Sequence, residues 1–460
     1  MPAAFGDTRD PIAEALTALG PAGWQRVEAV FAMTIAAEVG NIVYVTVDRT
    51  ISVPPPESVL RVVREQRAAA ARSERGPWWR ISLVLNDSGA TEVHHDYGEE
   101  PFPPGQLFEP QAYRADLSAY PRARLPVWLA AYLGHGERQR RTPRQAAEQE
   151  RADRSAKVWA RLAENEFPPF PAMWARWATI AAAFVATGSR WGPRMLPWTG
   201  VFEGAGHHGS SLHALPGGRA VLSGGVWDAP ALDAAYNEGG PIPNLYAGAP
   251  HWVCEPVLNA RLETGLLSFC YWWESGHWYR GESPGAADCA TAVPGMWSAD
   301  TVSAVVTSLI PADRGDRSEA VAALVAAAEA GAVTRAGLAD VFGDGERVDL
   351  DGALHQFELA GLALPETPPM PAAEAVSRVR DYITGMGLDT TGYPLAQLTS
   401  RRFSVGWMVY VPPPEGTVAI GRAVFYVGDD GVLELSSSVE PETYVADFER
   451  RFAERHGAVA

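Results

Sequence analysis

Pro77-Trp78-Trp79-Arg80-Ile81-Ser82-Leu83-Val84-Leu85, the turn Asn86-Asp87-Ser88-Gly89 and a return over residues 90–97 form the most legible stretch of this chain. Ile81, Leu83 and Leu85 recur at every second position, the period of a half-buried strand. Asn and Asp tolerate left-handed backbone and Gly has no Cβ, so 86–89 predicts a tight turn and the whole an antiparallel hairpin. Before it, residues 11–19 predict an amphipathic helix, broken by Gly20, Pro21 and Gly23. Val27, Ala29, Phe31, Met33 and Ile35 alternate over 24–36 and predict a strand. The β-branched and aromatic run at 41–47 predicts another. Residues 57–73 read as a long charged helix, and 119–133 as a closing helix with Trp128 and Tyr132 on one face.

The character of the chain changes after residue 133. Residues 134–165 are dense in Arg, Gln and Glu and predict a charged, solvent-exposed helical linker. Residues 166–311 form a Trp- and Gly-rich α+β domain. It opens with an apolar helix at 173–187 that is too short to span a bilayer and contains Arg176. Residues 312–366 are Ala-rich and helical, with a helical hairpin around Val333 to Leu338, and prolines at 365–371 mark a joint. Residues 367–460 predict a small α+β domain: a helix at 373–384, strands at 403–411, 419–426 and 432–437, an acidic Gly turn at 428–431 and a final helix at 442–455. The fold class is therefore α+β and multidomain, with several small antiparallel sheets each packed with helices.

The first domain, residues 1–133, resembles the YezG/DUF600 family of antitoxins that accompany secreted polymorphic toxins. The resemblance rests on Gly23-Trp24 and the strand after it, on Ile42-Val43-Tyr44-Val45, on the hairpin quoted above with His95-Asp96-Tyr97, and on Pro126-Val127-Trp128-Leu129-Ala130-Ala131-Tyr132-Leu133. It covers under a third of the chain. The last domain is similar, loosely, to other small immunity domains that pair a Trp-bearing strand with a hairpin such as Asp429-Asp430-Gly431. The resemblance implies a toxin-neutralising protein, acting by binding and occlusion of the toxin's active site.

Acidic residues outnumber basic ones by 55 to 38, a balance that disfavours nucleic acid and favours basic protein partners. Three cysteines, Cys254, Cys270 and Cys289, form neither a disulfide framework nor a CxxC zinc pair, and read as reduced thiols of a cytoplasmic protein. Residues 1–10 lack a basic start followed by an apolar run, so no signal peptide is expected. No segment predicts a membrane partner.

Residue patterns that carry chemistry are sparse. His207, His208 and His213 are the densest histidine cluster, and with Cys254 they support an alternative, a metal- or thiol-dependent hydrolase in the middle domain. HExxH, the phosphate loop and the Gly-x-Ser-x-Gly elbow are absent, and Gly209-Ser210-Ser211 lacks the elbow's second Gly. The leading expectation is a non-enzyme without cofactor or metal. Its partner is a cognate toxin domain, a nuclease or an NAD-consuming enzyme, contacted through Trp78, Asp96, Tyr97, Glu99, Glu100, Trp227, Trp252 and Trp278. An adaptor or chaperone for toxin secretion is a further alternative. Trp191 and Trp198, also near turns, share the aromatic character of an interface.

Overall fold

The Asp10 carboxylate caps the first helix by accepting from the Ile12 N–H (2.8 Å) and the Ala13 N–H (3.4 Å), and Pro11 needs no partner at the first helical position. The computed structural model describes residues 10–73, 75–311, 315–364, 370–413, 422–437 and 441–455. Within it, α1 (Pro11–Leu19) leads to β1 (Trp24–Met33), β2 (Glu38–Thr46), β3 (Thr50–Val53), α2 (Glu57–Ala70), β4 (Arg80–Asn86), β5 (Thr91–Asp96), α3 (Pro110–Ala119) and α4 (Val127–Gly134). The strands are ordered β3-β2-β1-β4-β5, all antiparallel. Val27, Ala29, Phe31 and Met33 are buried on one face, in a core with α1 and α2. Ile35 lies past the strand end and is exposed.

Val59, Val63 and Arg67 succeed one another at four-residue spacing on α2, so they share a face. The two valines pack on the sheet. Arg67 continues inward to Asp116 of α3, and one of its Nη atoms lies 2.8 Å from both carboxylate oxygens. Asp116 also accepts from the Ile35 N–H (3.0 Å) and the Trp79 Nε1–H (2.9 Å), while Arg67 Nε donates to the Trp78 carbonyl (2.8 Å). A single buried ion pair thus ties α2, α3, the β1–β2 turn and the entry to β4. The closing helix expected over 119–133 is in fact the end of α3 and then α4, because Pro121 and Pro126 lack the N–H a continuous helix needs.

The middle of the chain contains α5 (Pro143–Ala156), β6 (Arg161–Leu162), α6 (Phe170–Ala186), β7 (Arg194–Leu196), β8 (Thr199–Glu203), β9 (Gly209–Leu215), β10 (Arg219–Gly225), α7 (Pro230–Asn237), β11 (Phe269–Glu274), β12 (His277–Arg280), α8 (Ala299–Leu309), α9 (Ser318–Glu329), α10 (Arg335–Phe342) and α11 (Leu350–Ala360). Its sheet runs β6-β12-β11-β10-β9-β8-β7. One face, with Leu212, Leu222, Phe269 and Tyr271, packs in a core with α6, α8, α9, α10 and α11. The helix α6 is apolar nearly all round because neighbours surround it. Its Arg176 pairs with Glu329 (2.7 Å) and donates to the Trp297 carbonyl (3.1 Å). Among the described residues no helix is long and apolar enough to cross a membrane.

Two expected boundaries shift. The helical segment 312–366 is not a separate body, since one core runs from Ala163 to Ala360. The linker 134–165 is not free either. Ala146 of α5 joins the core on the sheet's other face, Gln139 is buried and donates to the Leu267 carbonyl (2.7 Å), and β6 pairs with β12. A further core joins Trp79, Tyr113 and Trp128 to Ala229, Leu232 and Leu266, so the first unit is seated on the middle one.

The last unit is α12 (Ala372–Gly385), β13 (Thr399–Phe403), β14 (Gly406–Tyr410), β15 (Ala423–Gly428), β16 (Leu433–Ser437) and α13 (Pro441–Arg455), a four-stranded antiparallel meander between two helices. The strand expected over 403–411 breaks at Ser404 and Val405, where the chain turns between β13 and β14. Residues 365–369, 414–416 and 419–421, expected as joint, loop and strand start, lie outside the described residues. The chain is α+β throughout.

Removing one member of a buried ion pair leaves the other charge uncompensated, at about 3–5 kcal/mol. Asp116→Ala is expected to destabilise the first unit by that amount in urea denaturation, and Arg67→Met/Asp116→Leu together to cost less than Asp116→Ala alone.

Candidate functional site

The loop after β5 is held from several sides. Asp96 accepts from the Gly98 N–H (2.8 Å) and faces Arg80 at 3.5 Å. Glu99 accepts from the Tyr97 N–H (2.9 Å), and the Gly98 carbonyl accepts from Trp128 Nε1–H (2.8 Å). Gly98 has φ +82°, a backbone conformation that favours glycine, and a Cβ there would also press on the Trp79 ring at 3.3 Å. Arg75 pairs with Glu99 and lies over the Tyr97 ring at 4.0 Å. Burial pushes the Glu99 carboxyl up, but hydrogen bonds from the backbone and from Arg75 outweigh it and hold the group below its usual range.

Tyr97 and Glu99 line an open cleft of about 610 Å³ whose opposite wall is the segment between α3 and α4. Arg122 also lines it, with its guanidinium 3.7 Å from the Trp79 ring centre and donating to the Pro77 carbonyl. Its buried Nε has no partner among the described residues, and burial holds the guanidinium below the ordinary arginine value. Arg124, also lining the cleft, pairs with Asp233 of α7. Glu100 points the other way, 3.9 Å from His207, whose ring meets that of Trp227 at 4.8 Å between centres and a tilt of 41°. The acidic loop therefore spans from the cleft to the middle unit. Arg75 and Arg122 are brought to it by folding, and no local pattern in the sequence marks them.

The expected contact residues separate into groups. Asp96, Tyr97, Glu99, Glu100 and Trp227 lie along this one seam. Trp252 is apart, half-buried beneath Arg219. Trp78 and Trp278 are core residues and are not presented to a partner. Trp78 packs with α1 and α2, and Trp278 donates through Nε1 to the Pro168 carbonyl (2.7 Å). The exposed tryptophans are instead Trp191 (75%), Trp198 (67%) and Trp159 (70%). Trp198 forms the β7–β8 turn with φ +59°, a region bulky residues rarely occupy.

The hydrolase candidates do not converge. His208 Nδ1 accepts from the Trp227 N–H (2.9 Å), the two ring nitrogens of His213 on β9 lie 3.1 Å from Thr199 Oγ1 and Ser211 Oγ, and Cys254 is buried in the core with Val221, Val253 and Cys270. Among the described residues no group of three His, Cys, Asp or Glu side chains is placed to hold a metal ion. Burial pushes the Cys254 thiol up to about 12, so at neutral pH it carries no thiolate to act as nucleophile.

No protein-family model matches this chain, and no curated protein matches its sequence.

The three buried thiols are expected to resist Ellman's reagent at pH 8 in the native chain and to react fully after denaturation. Cys254 and Cys289 are both raised from 9.0 to about 12 by burial. The unfolded chain ionises first, so their contribution to stability is complete below pH 9 and is lost as pH climbs from 9 through 12. Urea midpoints measured across that range test the sign, and a midpoint that rises there would contradict it.

Proposed function

We propose that the chain is an immunity protein that binds a cognate toxin domain and covers its active site. The observation that supports this best is the preset acidic loop at 96–100. It displays Glu99 and Glu100 to solvent while its backbone is fixed by Asp96, Trp128 and the φ of Gly98. A partner docking there meets negative charge without ordering a loop, which spares the entropy that flexible segments lose on binding. The net charge of −17 extends the same field and steers a basic partner to the surface. A nuclease toxin fits that chemistry better than an NAD-consuming enzyme, because nucleases carry basic surfaces for their own substrate. The resemblance of residues 1–133 to the YezG-like antitoxins points the same way. In this reading the protein works in the cytoplasm, in competition between bacteria, and needs no cofactor.

The test is capture of partners by the tagged full-length chain, followed by inhibition assays with the captured toxin domain. Stoichiometric inhibition is expected. Glu99→Arg/Glu100→Arg should slow association roughly tenfold or more at low salt, with a smaller effect at high salt. Capture through a toxin's N-terminal targeting region, with its catalytic domain uninhibited, would instead establish the adaptor reading. Association that is indifferent to both the charge reversal and salt would remove the loop from the interface.

A further inference from the structure

The sheet face opposite α6 holds a polar array that the proposed function does not use. Strand register sets it out in rows. Thr199 of β8 faces His213 of β9, which faces Val221 of β10. Val201, Ser211 and Ser223 form the next row, and Glu203, Gly209 and Gly225 the third. Alternation puts all nine on one face. Gly209 and Gly225 leave the last row bare, and the Arg261 side chain occupies the space. A Cβ on Gly209 would stand 2.6 Å from Arg261 Nη2, and one on Gly225 would stand 2.8 Å from Arg261 Cδ. Arg261 Nη2 pairs with Glu203 at 2.7 Å. Ser211, Ser223, Glu203 and Arg261 line a cleft of about 460 Å³, within the range of small-ligand sites.

The hydrogen bonds along the first two rows have a direction. Ser223 Oγ donates to the Leu258 carbonyl at 2.6 Å, so its proton is committed and it can only accept from Ser211, at 3.4 Å. The Ser211 hydroxyl has a nearer acceptor in His213 Nε2, at 3.1 Å. The other ring nitrogen, Nδ1, lies 3.1 Å from Thr199 Oγ1 and donates to it in the tautomer that leaves Nε2 free. Burial lowers the His213 pKa, which keeps the ring neutral and able to accept a proton at pH 7. Nucleophile, base and orienting hydroxyl therefore stand in the order that nucleophilic serine chemistry requires. No motif marks them, because Ser211 sits within a strand and not at a strand-to-helix elbow.

We propose that this cleft is an acyl-transfer site, with Ser211 as nucleophile and His213 as general base, acting on small carboxylic esters that carry an anionic group. Ser211 Oγ attacks the ester carbonyl carbon as its proton passes to His213 Nε2. The tetrahedral intermediate collapses by breaking the bond to the alkoxide, which takes that proton and leaves as the alcohol. Water then attacks the acyl-serine, His213 accepts its proton, and the acid departs as the proton returns to Ser211. The Arg261 side chain fills the row of Gly209, two residues along the strand from Ser211 and roughly 7 Å away at the usual rise per residue, and suits a carboxylate at the far end of the acyl group. Glu203, 63% exposed, is the group that this carboxylate displaces. Thr199 is a positioning residue that holds the imidazole.

The test uses the full-length chain with an alkyl fluorophosphonate and with the 4-nitrophenyl esters of acetic and succinic acid. One phosphonyl adduct is expected, mapping to Ser211 and absent in Ser211→Ala. The succinate monoester should be hydrolysed faster than the acetate, and Arg261→Ala should abolish that preference. His213→Gln should slow labelling and turnover roughly 10²–10⁴-fold. Thr199→Val should lower kcat with KM unchanged, which a loss of packing alone would not do. An unlabelled chain, an adduct elsewhere, or ester hydrolysis undiminished in Ser211→Ala would overturn the assignment. None of these outcomes depends on toxin binding.

Discussion

The first unit depends on one buried charge pair. Arg67 and Asp116 belong to helices separated by the whole β4–β5 hairpin, and neither can be left alone in an apolar core. Asp116 accepts from a guanidinium, an indole and a backbone N–H, so its position specifies those of α2, Trp79 and the β1–β2 turn together. Trp79, fixed in this way, forms the surface on which Gly98 and Arg122 rest. The acidic loop and the cleft beside it inherit their shape from that chain of contacts.

The middle unit is organised by a different constraint, the need to cover both faces of a seven-stranded sheet. The apolar helix α6 and its neighbours close one face. The other face is covered by α5 and the short turns through 251–262, which leave β8 and β9 open toward the edge. Polar residues survive at that opening, where an apolar side chain would face water. The same economy explains why a short run dense in arginine, 134–165, is built in and not free. Gln139, Ala146, Asp153 and Ala163 are its inward positions, while all of its arginines but the half-buried Arg141 remain outside.

Legibility tracked the range of the interactions. The first helix was readable to the residue because Asp10, Pro11 and Gly20 act within one turn of it. The hairpin at 86–89 was readable because turn geometry and alternation agree. Helix α3 was not, since its buried positions are Ala112, Tyr113 and Asp116 in a polar run, and only a remote arginine makes the aspartate an inward residue. Trp78 and Trp278 lie near turns, as exposed anchors do, yet the core takes them. Trp191 and Trp198, with the same local signals, stay outside. Of the candidate loop, the acidic character was visible in the sequence. The arginines that hold and flank it were not.

By itself the sequence determined the α+β class, the alternation of β1 and β4, the bounds of α1 and the acidic balance of the chain, because these depend on the spacing of apolar residues and on local backbone preferences. Only the tertiary structure decided which tryptophans face solvent, that one core draws its residues from Ala163 through to Ala360, and that Thr199, His213 and Ser211 stand in line. Burial and cross-strand register belong to residues far apart in the chain, and register places partners through hydrogen bonds that no local pattern encodes.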